Sequence, residues 1–554
     1  MTTTSSPVLS VRDLRVATIG SRPSEILKGI SFDINPGEVV CLVGESGSGK
    51  SVTSLVTMDL LPEQELRATG GEVLLNGEDI LRATPARTKA LRGAEMAMIF
   101  QEPMTALNPV LRIGLQMEEV YMAHRDMSAR DRRAAVLEAF ASVQLPDPPR
   151  IYDSYPHQLS GGQRQRVMIA MALALKPRLL IADEPTTALD VTTQKQILTL
   201  IRQLQDENGT SVLFITHDMG VVVDIADRVC VMRKGEMMES GPVRELLAAP
   251  KTDYTKDLLA AIPSLTPPEP VESEDADIVL SVSGFSKEFR LGSALSRIMG
   301  RADHAVRAVD DVSFRLRRGR TLGIVGESGS GKSTVARCVM RLEEPSAGAM
   351  LLDGQDISHI QGAELMRARQ RLQMVFQDPN RSLNPRIPIL ESLCEGPLNY
   401  GRDRAEIRER AVEIMETVGL DPEGLSRYPH QFSGGQRQRI AIARALLMDP
   451  EVIVADEAVS ALDVSVQAQV LDLLDRIRRE RNLSMLFITH DLRVAAQICD
   501  DVMVMQKGKV VEMGPASEVL SNPRHAYTAA LIDAAPGRSW DFEAGRPVTE
   551  VQPA

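Results

Sequence analysis

The octapeptide GESGSGKS stands at residues 44–51 and again at 326–333. Glycines at that spacing let consecutive backbone N–H groups curl around phosphate oxygens, and a helix that follows aims its positive end at the same charge. GxxxxGK[ST] is a phosphate-binding loop when it follows a strand and opens a helix. The apolar run VVCLV at 39–43 supplies the strand for the first copy. Gly44, Ser46, Gly47, Ser48, Gly49 and Val52 are therefore expected around a bound polyphosphate, as are Gly326, Ser328, Gly329, Ser330, Gly331 and Thr334. Lys50 and Lys332 would reach the β- and γ-phosphates; Ser51 and Ser333 would set a hydroxyl on Mg²⁺. A Gly/Ser-rich turn could spell one such octapeptide. Two copies, each in a strand–loop–helix setting, outweigh that reading.

Further residues suit the chemistry of a γ-phosphate. Asp183 and Asp456 end apolar runs and are followed by Glu184 and Glu457. The first acid of each pair suits a magnesium contact through water, the second a base that polarises attacking water. Gln101 and Gln377 follow apolar-Phe steps and offer a neutral amide to Mg²⁺ or water. His217 and His490, each in ITHD, can donate to the γ-phosphate and keep water and base in register. Each of these alone is more often a surface or structural residue, so their roles rest on the ensemble. Asp190 and Asp463, in ALD turns, are candidates for contacts across an interface. A twelve-residue stretch also recurs: YPHQLSGGQRQR at 155–166 and YPHQFSGGQRQR at 428–439. Ser160 with Gly162 and Gln163, and Ser433 with Gly435 and Gln436, open helical runs and turn N–H groups toward an anion.

The elements that must position these residues are repeated too. Matching motifs lie 273 to 282 positions apart, so the chain is two copies of one domain. The Pro-rich acidic block 263–277 reads as a solvated tether, giving domains at 1–262 and 278–554. In each half VVCLV-like runs carry a motif at the carboxyl end, as LLIA (179–182) does Asp183 and VLFIT (212–216) does His217. Short β-rich runs separated by helical stretches predict an α/β fold with a largely parallel sheet, and ligands in such sheets sit beyond the carboxyl ends of the strands. The segment from about 102 to 160 breaks the rhythm, and SARDRRAAVLEAFASV predicts a helical subdomain inserted into each half.

Composition narrows the class. The chain has 554 residues, 43% apolar and 25% charged, with a net charge of −12, which speaks against gripping nucleic acid through a basic face. Five scattered cysteines read as small buried hydrophobes in a reducing compartment, with neither a disulfide framework nor a zinc site. MTTTSSPVLSVRDLRV lacks the build of a signal peptide, and no stretch approaches the roughly 20 apolar residues of a membrane span. A membrane role must come through a partner.

With both SGGQ stretches in place, the sequence resembles the ATP-binding cassette (ABC) ATPases over nearly all of both halves. The resemblance implies two P-loop NTPase domains of ABC type, each binding ATP and Mg²⁺. It also implies a head-to-tail sandwich in which each signature covers the γ-phosphate held by the other half. One site would pair Lys50, Ser51, Gln101, Glu184 and His217 with Ser433, Gly435 and Gln436. The other would pair Lys332, Ser333, Gln377, Glu457 and His490 with Ser160, Gly162 and Gln163. Metal contacts would fall to Ser51, Gln101 and Asp183, and to Ser333, Gln377 and Asp456. Both sites keep base, histidine and signature, so both are expected to hydrolyse ATP. Phe289 is the expected adenine stack of the second half; LRVATIG in the first has no aromatic. Ala458, where the first half has Pro185, should alter only local stiffness.

FQEPMTALNP, FQDPNRSLNPR and the tails PKTDYTKDLLAAIP (250–263) and NPRHAYTAALIDAAP (522–536) are similar to the peptide and nickel importer group. That likeness implies two fused ATPase subunits at the cytoplasmic face of a membrane, peripheral to two integral-membrane permeases. An extracytoplasmic substrate-binding protein and no nucleic acid complete the expected partners. The permeases would dock by a short helix in the groove beside Gln101 and Gln377. Dipeptides, oligopeptides, glutathione and nickel are all open as cargo, peptides foremost, and no iron–sulfur centre is expected. The rival is a soluble tandem cassette acting on ribosomes or DNA, which the short acidic linker and the cysteine pattern disfavour.

Overall fold

The structure, a computed structural model, describes residues 6–20, 22–101, 106–187, 189–268, 277–291, 304–460 and 462–548. It divides into two units, Met1–Ile262 with Pro536–Ala554, and Pro263–Ala535. Most of the tether (269–276) and part of FQEPMTALNP (102–105) lie outside the described residues.

The first unit is built on a six-stranded sheet. Its order is Glu236–Pro242, Arg228–Arg233, Val39–Val43, Ser211–Ile215, Leu179–Asp183, Met96–Ile99. All neighbours are parallel except Glu236–Pro242, which returns antiparallel along Arg228–Arg233. Val39–Val43, Leu179–Asp183 and Ser211–Ile215 are buried throughout, as strands covered on both faces must be, so their sequences are nearly unbroken apolar runs. The helix Val191–Asn208 buries Ile197, Leu198, Leu200, Ile201 and Leu204, a stripe at helical spacing. The second unit repeats the sheet as Leu372–Val375, Val452–Asp456, Ser484–Ile488, Thr321–Val325, Asp501–Gln506, Lys509–Pro515. The parallel sheet expected from the sequence is therefore present in both units.

Each unit also has a four-stranded antiparallel sheet that the motif reading did not foresee. In the first its order is Glu25–Ile34, Leu9–Thr18, Leu66–Leu75, Glu78–Asp79. The register shifts between Val11 and Leu14 and again between Val16 and Ala17, and such bulges erase the alternation by which strands are read. The second unit matches it with His304–Arg317, Ile278–Leu291, Ala347–Leu352 and Gln355–Asp356.

The inserted helices are Ile113–His124, Ala129–Ser142 and Pro148–Asp153 in the first unit, and Ile389–Asn399 and Arg404–Thr417 in the second. Ser128 caps Ala129–Ser142 by accepting from the Asp131 amide, and Val136 and Phe140 are its buried residues.

The end of the chain departs from the sequence-based boundary. Pro536–Val548 follows the second half but packs in the first unit. The Gly537 amide donates to Asp224 Oδ2 at 3.0 Å. A Cβ on Gly220 would stand 2.6 Å from the Pro536 carbonyl oxygen, so glycine permits that approach. Trp540, 6% exposed, joins the core that holds Val221, Leu246 and Leu247. An indole so placed needs an apolar face, and this one is supplied by residues some three hundred positions earlier.

Candidate functional site

At the tip of Val39–Val43 the chain turns through Gly44–Gly49 into the helix Lys50–Thr57. Gly49 has φ +102°, and a Cβ there would lie 2.5 Å from Leu27 Cδ2. Gly331 has φ +104°, with its Cβ position 2.4 Å from the Ala308 carbonyl oxygen. Both positions demand glycine for conformation and for space. Lys50 is 6% exposed and donates to the carbonyls of Gly44 (2.7 Å) and Glu45 (3.0 Å). Lys332 does the same to Gly326 (2.7 Å) and Glu327 (2.8 Å).

Two other strand tips converge on the loop. Asp183 ends its strand paired with Ile215, and Asp456 is paired likewise with Ile488. The Ser51 hydroxyl donates to Asp183 Oδ1 at 3.2 Å, and Ser333 to Asp456 Oδ1 at 3.1 Å. Burial pushes both aspartates up; the serine bonds oppose it, and the neighbouring glutamate charge adds to it. A hydroxyl beside a buried carboxylate suits a hard cation that also binds phosphate oxygens and water. Among the described residues no group of three His, Cys, Asp or Glu is placed to hold a metal ion. Ser48 Oγ and Ser330 Oγ are buried in the loops without a hydrogen-bond partner, and a phosphate oxygen would satisfy them. The loops thus fit a magnesium–polyphosphate.

Glu184 and Glu457 stand next to these aspartates with φ +46° and +49°, a strained backbone for a non-glycine residue. Glu184 Oε1 lies 3.3 Å from His217 Nδ1, and Oε2 accepts from Gln101 Nε2 (3.0 Å) and Thr187 Oγ1 (2.9 Å). Glu457 Oε1 lies 3.6 Å from His490 Nδ1, with Gln377 Nε2 2.5 Å from Oε2. Ser460, at the place of Thr187, donates instead to the Glu457 carbonyl at 3.0 Å. Burial resists ionisation of Glu184, but the bond and charge of His217, then Thr187 and Lys50, bring its carboxyl down to about 2. Glu457 is lowered against burial by His490, Lys332 and Gln377. Both histidines are raised: burial opposes their charge, and the glutamate bond overcomes it.

The structure therefore gathers Lys50, Ser51, Gln101, Asp183, Glu184 and His217 in one unit, and Lys332, Ser333, Gln377, Asp456, Glu457 and His490 in the other. The signatures behave as helix starts. Ser160 Oγ accepts from the Gln163 amide and Gln163 Oε1 from the Ser160 amide; Ser433 and Gln436 repeat that box. Gly162 and Gly435 let the next helix close in, their Cβ positions lying 2.8 Å from Thr193 Cγ2 and 2.2 Å from Val466 Cγ1. Ser160, Ser433 and Gln436 are exposed. Asp190 and Asp463 cap the helices Val191–Asn208 and Val464–Arg481. Phe289 sits on Ile278–Leu291, 37% exposed, with the Lys287 ammonium 5.1 Å from its ring centre. In the second unit a cleft of about 550 Å³ is lined by Ser382, Asn384, Pro385 and Ile387, a few positions after Gln377 in the chain, with Glu395 and Arg444.

Sequence reasoning missed Thr187 and two tyrosines. Tyr254 and Tyr527 lie within the quoted tail stretches, but nothing local shows where their hydroxyls go. Each accepts from a loop amide: Glu45 at 3.2 Å and Glu327 at 3.1 Å.

A family model described as "ABC transporter" matches residues 27–187 and 309–460, and one described as "Oligopeptide/dipeptide transporter, C-terminal region" matches 238–285 and 511–544. A peptidoglycan transport ATP-binding protein of Agrobacterium fabrum is 48% identical over 536 residues, 96% of this chain and 97% of the relative. A glutathione import ATP-binding protein of Pectobacterium atrosepticum is 45% identical over 562 residues, 96% of this chain and 89% of the relative. A solved dimeric bacterial ABC transporter cassette is 30% identical and covers 42% of this chain and 98% of its own, with a TM-score of 0.39.

Proposed function

We propose, for a chain that belongs to the ABC transporter family, that it is the ATP-hydrolysing subunit of an importer of peptide type. One observation carries this reading. A single chain holds two copies of the same loop, carboxylate and histidine cluster and two matches to the C-terminal region of oligopeptide/dipeptide transporters. The relatives named for peptidoglycan transport and glutathione import support a cargo of short-peptide character.

In the first site the loop amides and Lys50 hold the β- and γ-phosphates. Ser51, Asp183 and Gln101 would hold Mg²⁺, which would neutralise phosphate charge. Gln101 and His217 keep Glu184 directed at the attacking water, and Glu184 accepts its proton. Lys332, Ser333, Asp456, Gln377, His490 and Glu457 do the same in the second site. Each signature covers the nucleotide of the other half: Ser433, Gly435 and Gln436 for the first, Ser160, Gly162 and Gln163 for the second. Phe289 stacks on adenine. ATP binds the closed pair better than the open one and so shifts the population toward closure.

Among the described residues no helix is long and apolar enough to cross a membrane. Two integral-membrane permeases supply the path and the chain sits peripherally at the cytoplasmic face, a reading supported by relatives named as transport and import ATP-binding proteins. The cleft lined by Ser382, Asn384 and Arg444 receives a short permease helix, and a substrate-binding protein outside delivers cargo. The test is purification from a detergent extract followed by reconstitution. Co-purifying permeases and ATPase stimulated by short peptides are expected; co-purifying ribosomal proteins, with no permease, would refute the proposal.

A further inference from the structure

We infer that Tyr254 and Tyr527 are positioning residues for the two phosphate loops, and that this is one task of the tail regions. The inference rests on the nucleotide-binding reading above. In the first unit the hairpin strand Glu236–Pro242 carries Glu239, whose carboxylate accepts from the amides of Lys251 (2.9 Å) and Thr252 (3.2 Å). These bonds fix the turn into the helix Asp253–Ala260, whose second residue is Tyr254. The ring is 5% exposed, the Arg233 guanidinium lies 4.6 Å from its centre, and the hydroxyl accepts the Glu45 amide.

The second unit repeats the chain of contacts with different side chains around it. Glu512 accepts from the amides of Arg524 (2.7 Å) and His525 (3.1 Å), and Tyr527, second in the helix Ala526–Asp533, accepts the Glu327 amide. Two units that differ in the residue before the tyrosine, and in the Arg233 contact, keep the same hydroxyl on the same loop atom.

The gripped residue explains the use. Glu45 follows Gly44, where the chain leaves its strand. Its amide goes to the tyrosine and its carbonyl to Lys50. When a phosphate arrives, the lysine must exchange loop carbonyls for phosphate oxygens, and one of the loop's own restraints goes with it. The tyrosine restraint remains, so the loop keeps the curvature that its amides need. The glutamate-anchored turn, with a buried ring at Tyr254 and a half-buried one at Tyr527, makes the hydroxyl a fixed post rather than a mobile contact.

The test is Tyr254→Phe with Tyr527→Phe in the full-length chain, read by binding of a fluorescent ATP analogue and by steady-state ATPase. Phenylalanine keeps the packing and removes one neutral hydrogen bond per loop. Such a bond is worth about a factor of three to ten in binding. KM and analogue Kd should rise by about that factor while kcat stays within about twofold, the pattern of lost uniform binding. Glu239→Gln with Glu512→Gln, which loosens the turn, should raise KM in the same direction and add little on top of the phenylalanines. Folded phenylalanine variants with unchanged KM and Kd would overturn the inference alone. Failure of the unaltered protein to bind the analogue would overturn it together with the proposed function.

Discussion

Replacing Glu184 by Gln probes the pair on which hydrolysis is argued to depend. His217 Nδ1 lies 3.3 Å from Glu184 Oε1, with 29% and 14% of the two side chains exposed. Opposite charges about 4 Å apart attract by roughly 4 kcal/mol at an effective dielectric near 20, an attraction that favours the charged imidazole. Partial exposure and the retained amide oxygen weaken the loss, and the imidazole should titrate at lower pH in the variant. The direction follows from what remains. Burial and Lys50 both lower His217, and only Asp218 then raises it, so the variant should titrate below 6.5. The chain has eight histidines, few enough to follow by NMR of ¹³C-labelled imidazoles, with His217→Gln assigning the resonance. Stability carries the same sign. A histidine raised in the fold contributes stability that is present below 6.5 and lost as pH rises through its folded value. The variant should lose that slope above pH 6.5. ATPase should fall by about 10²–10⁴. An unmoved or rising His217 titration would refute the reasoning.

Thr187→Val removes a donor from Glu184 that Glu457 lacks. The Glu184 carboxyl should rise, modestly because Thr187 is exposed, seen as an upward shift of the acid limb in a pH–rate profile. Gly435→Ala drives a methyl to 2.2 Å from Val466 Cγ1 and should cost about 1–3 kcal/mol in thermal unfolding, with Val466→Ala recovering part of it. Trp540, the chain's one tryptophan, should emit as a buried indole, and Trp540→Ala should cost about 3–5 kcal/mol, read by denaturant unfolding of the first unit. The five cysteines are buried, so thiol reagents should react only on unfolding; burial holds Cys338 up near 11 and Cys41 and Cys499 higher still.

Much of the site could be read before any fold was known, because its parts are local. A phosphate loop needs its glycines, lysine and serine within eight positions, and the apolar run before it must be a strand covered on both faces. Asp183 and His217 were legible for the same reason, each standing at the end of such a run. The repeated spelling of SGGQ gave the helix starts, which the reciprocal boxes of Ser160 with Gln163 and Ser433 with Gln436 explain physically. The antiparallel sheets were not legible. Their strands shift register at bulges, and their partners are chosen by pairing rather than by any signal within Leu9–Thr18 itself.

Other features exist only through distant contacts. The Tyr254 hydroxyl finds a loop amide 209 positions earlier, and the Gly537 amide finds Asp224 across 313 positions. Trp540 declares in sequence that it wants cover but not whose. Short-range spacing and apolar runs specify chemistry and strands because a backbone turn involves only a few neighbouring dihedrals. Which tail supports which loop, and which unit receives the end of the chain, is decided by packing. There the burial of an indole and the closeness of Gly220 to Pro536 select one partner among many surfaces of similar composition.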